Sequence, residues 1–336
     1  MRRTLDQACN FKIQGVGAYL PPMRVSSNEL MREIRSEDAG IPESFLERAT
    51  GIIERRICTD PDTLTSMATN ASLGAMSDAG LSASDIDCVI YCGIESEDAE
   101  PSTAHHVQRA IGAQNAVCFD VSNACLGLLN GLSIANAYLS SSNAEHILIC
   151  TGEKPSDVTF ACMQQFSEDR SRENFRRLMG AFTVGDAGGA FVLGRPDSEQ
   201  GGRVMKFATF SEHSTLCYYK RHQDKIEFAM EMETISNAMV SAHEAMIGET
   251  YEALGWSGKD VDALYCHQVG AKPHRKMAAI SSLSHNKAPK TYDRYGNLTS
   301  ATFAVNMSLN KPAQGSKVLF LGAGSGLSIC QIGLQF

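Results

Sequence analysis

The chain has 336 residues, 43% of them hydrophobic and 20% charged, with a formal net charge of −8. That length holds two domains or one large duplicated unit, and the acidic balance argues against nucleic-acid binding. No apolar run approaches the roughly 18 residues that span a bilayer, and Arg2-Arg3 is not followed by a signal-peptide core. The eleven cysteines are odd in number and include no Cys-x-x-Cys pair, which disfavours a disulfide framework or a metal site. A globular cytoplasmic enzyme with no membrane partner is the expectation.

Residues 11–20 read as an opening strand closed by Pro21-Pro22, and Ser26-Ser27-Asn28-Glu29 as a helix start. Pro42 begins a short helix that Gly51 stops. Small and apolar residues at helical spacing predict a helix over 63–79, capped by Gly80. Residues 85–93 are β-rich, 101–111 helical, and 119–121 a short strand. A tight turn at Ser122-Asn123 then leads into a helix opening at Cys125. That helix is apolar on nearly every face (Leu128, Leu129, Leu132, Ile134, Ala135), so it should be buried. A strand over 146–151 follows. Residues 163–180 are charged and read as a surface excursion, 185–190 as a glycine turn into a strand, and 197–202 as a linker.

The second half echoes the first. The run from Gly80 to Val89 matches the run from Gly255 to Leu264 in pattern, with Asp85 and Asp260 standing 175 residues apart. A duplicated α/β unit is the economical reading, with halves at 1–196 and 203–336. Strands alternating with helices imply mostly parallel sheets covered on both faces, packed around a central pair of buried helices.

A thiol on the first turn of a buried helix lies beside unpaired N–H groups and the positive dipole end, which favour the thiolate. By the repeat, Cys92 corresponds to His267 at the end of the strand over 263–266. The turn over 295–301 places Asn297 before a helix, in itself only a cap. Residues 317–327 form a strand running into a glycine loop. A dinucleotide fingerprint is rejected there, because a strand rather than a helix follows.

Cysteine, histidine, asparagine and a terminal glycine loop, in this order, resemble the ketosynthase III branch of the thiolase-like condensing enzymes. The resemblance spans almost the whole chain, through Thr50-Gly51-Ile52, Asn123-Ala124-Cys125-Leu126-Gly127, Gly185-Asp186, His267-Gln268, Gly296-Asn297 and the terminal glycine hairpin. It implies a five-layer αβαβα fold with internal pseudo-twofold symmetry, and a homodimer. It also implies that Cys125 takes an acyl group from acyl-CoA or an acyl carrier protein, with no resident cofactor or metal. The backbone N–H groups of Cys125 and Ser325 would hold the oxyanion, and His267 and Asn297 the enolate of a second thioester, for a Claisen condensation.

The cysteine turn looks closer to enzymes that join two acyl chains in specialised lipid or pyrone pathways, with an acyl or β-ketoacyl thioester as second substrate, than to those that initiate fatty-acid synthesis from malonyl thioesters. Where fatty-acid starters commonly have an apolar residue that crosses the dimer interface, this chain has Glu100. Its carboxylate would act in trans as the base removing an α-proton. Phe45 would stack on adenine, and Lys272, Arg275 and Lys276 would dock an acidic carrier protein. A non-catalytic dimer partner, and an acyltransferase that makes esters or amides, are the readings from other classes. The intact Cys125, His267 and Asn297 argue against the first, and retention of Asn297 argues for carbon–carbon chemistry over the second.

Overall fold

The structure, a computed structural model, describes residues 4–197, 199–222 and 225–336. Two five-stranded sheets form its frame. The first runs Lys12–Tyr19, Ala187–Gly194, His146–Glu153, Cys88–Tyr91 and Val117–Asp120 across its width. Its last three strands are parallel, and the first two run antiparallel to their neighbours. The second sheet runs Leu5–Gln7, Gly201–Thr209, Ser328–Gln335, Lys317–Gly324 and Ala263–Cys266.

Four strands of each sheet correspond in order and direction. Cys88–Tyr91 lies parallel to His146–Glu153 as Ala263–Cys266 lies parallel to Lys317–Gly324, so the repeat read from Asp85 and Asp260 is a structural duplication. The fifth strands differ. Leu5–Gln7 adds to the second sheet through Gly201–Thr209, so the start of the chain lies on the sheet of the other half.

The helices Gly127–Ser141 and Thr302–Leu309 form the middle layer. Leu128, Leu129 and Leu132 of one and Phe303, Ala304 and Met307 of the other join Ile149, Phe191, Phe320 and Ile332 from both sheets in one core. Outside the first sheet pack Leu64–Ala79 and Thr103–Ile111, and outside the second Met232–Leu254 and Ala271–Ile280. The result is the expected αβαβα sandwich, but its two sheets are mixed rather than mostly parallel, with three parallel and five antiparallel pairings, because the hairpin-like returns through Ala187–Gly194 and Ser328–Gln335 run against their neighbours. Helix Leu64–Ala79 approaches its sheet so closely that a Cβ on Gly17 would stand 2.0 Å from the Ala71 carbonyl oxygen. Only glycine permits that contact.

Local expectations differ in two places. Gly188 and Gly189 lie inside the strand Ala187–Gly194 rather than in a turn before it, where backbone and small side chains press against them. The charged stretch over 163–180 is two helices, Ser156–Glu168 and Arg172–Leu178, exposing its arginines and burying Phe166, Phe175 and Leu178 in a satellite core. A separate hairpin, Cys217–His222 with Lys225–Met230, packs Ile226 and Phe228 into that core. Among the described residues no helix is long and apolar enough to cross a membrane.

Candidate active site

The strand Val117–Asp120 delivers the chain to Ala124, which holds φ +47, a left-handed conformation unusual for alanine. This strained turn sets Cys125 at the mouth of the helix. The turn closes through Leu126 N–H to Asn123 O and Gly127 N–H to Ala124 O, both 3.0 Å, and the helix itself starts at Gly127. Cys125 therefore precedes the helix rather than opening it, because two tight i to i+3 bonds intervene before the first helical one. The terminal hairpin closes over this turn. A Cβ on Gly324 would lie 3.0 Å from the Leu126 nitrogen and 3.1 Å from the Asn123 oxygen.

The surroundings of Cys125 work against the expected thiolate. Burial pushes the Cys125 thiol well up, the neighbouring Cys217 and Glu153 push it further, and only its own backbone N–H opposes them. Its side chain is half-buried because it faces cavities rather than solvent.

His267 follows the strand Ala263–Cys266. Its backbone N–H bonds the Leu321 carbonyl at 3.0 Å, and its Nδ1 is buried without a partner. Burial lowers its pKa to about 4, so at neutral pH the imidazole is uncharged. Gln268 beside it accepts the Thr291 and Tyr292 N–H groups and donates to the Pro289 carbonyl, fixing the strand end. Asn297 is clamped by Thr183 O and Gly185 N, which join the two halves at this point. Its Oδ1 accepts the Thr299 N–H at 3.0 Å, so the amide's NH₂ face remains to donate.

Two cavities meet at these groups. One, of 260 Å³, has a mostly apolar wall including Leu64, Ile94, Val158 and Phe228, together with Cys125, Glu153, Asn297 and Ser325. The other, of 70 Å³, is bounded by Met232, Ile235, Met239 and Leu327 and also touches Cys125, His267, Asn297 and Ser325. Cys217, Tyr219, Phe228 and Met230 of the separate hairpin roof the larger one. The hairpin is pinned by Arg221 to Glu95 at 2.7 Å and by Gln165 Nε2 to the Ile226 carbonyl at 2.7 Å. The smaller cavity shares Met230, Met232, Ser236 and Val269 with an open surface groove of 750 Å³.

The structure thus brings Cys125, His267, Asn297 and Ser325 together. Lys272 and Lys276 stand on the rim of the groove with Arg176 and Arg177, whereas Arg275 is exposed outside it. Lys276 also donates to Asn237 at 3.0 Å. Phe45, 39% exposed, meets Phe175 edge-on and shares a surface pocket with Arg172 and Arg176. Glu100 is exposed and lines neither cavity of its own chain, so any role at the site requires a second copy. Sequence reasoning missed Glu153 and Cys217, both on the cavity wall. An acidic residue ending an otherwise apolar strand was the available signal for the first.

Residues 119–212 match the family described as 3-oxoacyl-[acyl-carrier-protein (ACP)] synthase III, and residues 251–336 its C-terminal part. A beta-ketoacyl-[acyl-carrier-protein] synthase III of Oceanobacillus iheyensis is 28% identical over 334 residues, covering 97% of this chain and 99% of that one. An acyl-CoA:acyl-CoA alkyltransferase of Shewanella oneidensis is 27% identical, covering 96% and 98%. Among solved structures, Xanthomonas campestris OleA with bound lauric acid and lauroyl-CoA superposes with a TM-score of 0.89 at 23% identity, covering 97% and 99%.

Proposed function

Since this chain belongs to the ketosynthase III family of thiolase-like condensing enzymes and is a condensing acyltransferase, we propose that it joins two acyl chains, each delivered as a CoA or carrier thioester. The observation that carries this reading is the position of Cys125 between two apolar cavities that share the Asn297 and Ser325 walls. The acyl-CoA:acyl-CoA alkyltransferase relative supports it.

In this mechanism the thioester arm comes down the groove, whose basic rim of Lys272 and Lys276 suits a phosphorylated or acidic carrier. Arg275 stands outside that rim and is left to longer-range attraction. Phe45, with Arg172 and Arg176 beside it, offers a face for the adenine of CoA. Cys125 attacks the carbonyl, and the N–H groups of Cys125 and Ser325 hold the oxyanion. The acyl chain then lies in the larger cavity. At ~30 Å³ for a water-sized group, its 260 Å³ accommodates a chain of about eight to ten carbons. Neutral His267 and the NH₂ face of Asn297 donate to the enolate oxygen of the second thioester. Its α-carbon attacks the acyl-Cys125 carbonyl, forming the C–C bond and releasing the Cys125 sulfur. This chemistry uses no resident cofactor, because the substrates bring their own activated carbonyls.

Pairing of a second copy along the open sheet edge Val117–Asp120, where Val117 is 60% exposed, would give a homodimer. In that assembly Glu100 is our candidate α-proton base in trans. Intact-protein mass spectrometry with octanoyl-CoA tests the reading, followed by product analysis after a second thioester is added. Loading of Cys125 by 126 mass units (~, octanoyl replacing the thiol proton) and discharge as a two-chain β-keto product are expected. Discharge only by malonyl thioesters would instead favour initiation of fatty-acid synthesis, and a protein that never loads would refute both.

A further inference from the structure

Glu153 is the last residue of the strand His146–Glu153 and is 3% exposed. Its Oε1 accepts the Thr151 hydroxyl at 2.7 Å, the Ile94 N–H at 3.3 Å and the Ser300 hydroxyl. These three hydrogen bonds fall on one oxygen, the nearby Thr299 hydroxyl also favours the carboxylate, and the residue still forms part of the cavity wall with Cys125 and Asn297. Ser300 comes from the opposite half of the molecule, one turn after Asn297. The charged neighbours on that wall are engaged elsewhere, Lys154 with Asp157 at 3.8 Å and Glu95 with Arg221. Among the described residues Glu153 has no ion-pair partner. A buried carboxyl lacking a counter-ion is costly as structure alone.

We propose that Glu153 is the acid–base residue of the acylation step, acting in cis on the Cys125 proton. The step rests on the acyl-enzyme reading above. The Glu153 carboxylate takes the proton as Sγ bonds to the acyl carbon. The bond from that carbon to the carrier sulfur breaks, and the proton passes from Glu153 to the departing thiolate. Nothing else is consumed. Burial raises Glu153 to about 7, while burial lowers His267 to about 4. At neutral pH the carboxylate is therefore the stronger proton acceptor of the two, and its affinity is matched to the working pH. Tyr91, Tyr218, Tyr219, Cys217, Lys154 and Glu95 are the other titratable groups around it; burial holds the Tyr91 and Tyr219 phenols and the Cys217 thiol protonated at neutral pH.

The test is single-turnover loading of Cys125 from octanoyl-CoA across pH, in wild type and in Glu153→Gln, which retains an acceptor oxygen for Thr151 and Ser300. Alkylation of Cys125 by iodoacetamide is followed in parallel. Wild-type loading should rise through about pH 7 and level off, and the variant should load about 100-fold more slowly or worse. Alkylation should not slow, since removing a neighbouring negative charge favours the thiolate. Equal loading rates, or alkylation falling together with loading, would overturn the assignment in favour of a structural role. If the variant fails to fold, the wild-type profile decides: a rate still climbing well above pH 8 reports the thiol alone and overturns it. A wild type that does not load at all refutes the acyl-enzyme reading instead.

Discussion

Burying an ionisable carboxyl without a cation leaves a pH signature on stability that is independent of catalysis. Glu153 rises from 4.5 to about 7 on folding, so between those values the unfolded chain has released a proton that the folded one retains. Stability must therefore fall as pH rises through that window. At about 1.36 kcal/mol per pH unit, that rise is worth about 3 kcal/mol. Because Glu153 is almost fully buried, little of this is screened. Glutamine in its place carries no charge at any pH. Urea unfolding of wild type and Glu153→Gln from about pH 4 to about pH 8 should therefore show the variant gaining about 3 kcal/mol on the wild type. Whatever the amide costs in packing is constant across the series and cancels. A stability difference that stays the same at both ends would refute the argument, because it would mean the carboxyl titrates alike folded and unfolded.

Three further outcomes follow from the geometry. Asn297→Asp keeps an acceptor for the Thr299 N–H but turns the donor face into an acceptor, so Cys125 should still load while condensation falls about 10²–10³-fold in a product assay. Gly324→Ala forces a methyl against the Leu126 nitrogen and Asn123 oxygen; thermal unfolding should show a loss of about 1–3 kcal/mol, and loading should fall with it. Arg221→Ala removes a surface pair that pins the roof of the cavity. It should cost under about 1 kcal/mol in urea unfolding, yet speed alkylation of Cys125 as the hairpin loosens.

The duplication was legible because its signal is local and repeated: a helix, a capping glycine, an acidic pair and an apolar strand recur at one spacing, and the strands from Cys88 and Ala263 answer to it. Cys125, His267 and Asn297 were legible because each sits at the end of such an element. The state of the Cys125 sulfur was not. Position before a helix suggested a thiolate, but ionisation answers to all the matter around an atom, and here burial and the neighbouring Cys217 and Glu153 push the thiol up. Glu153 escaped for a related reason. Its anchor Ser300 stands 147 residues away, and nothing near it in the chain announces that the two will meet. The glycines at 188 and 189 misled because a pair of them reads as a bend, whereas their purpose is close approach by helix and loop backbone.

The strand Leu5–Gln7 begins the molecule on one sheet, and the chain then crosses to build the other before returning through Gly201–Thr209 beside its own start. The halves are consequently laced together rather than strung in series. Cutting the connection near residue 197 would not let them drift apart, since the leading fragment keeps its first strand hydrogen-bonded into the trailing one. With Cys125 supplied by one half and His267 and Asn297 by the other, neither fragment alone holds all three side chains, but a nicked pair retains them around one cavity.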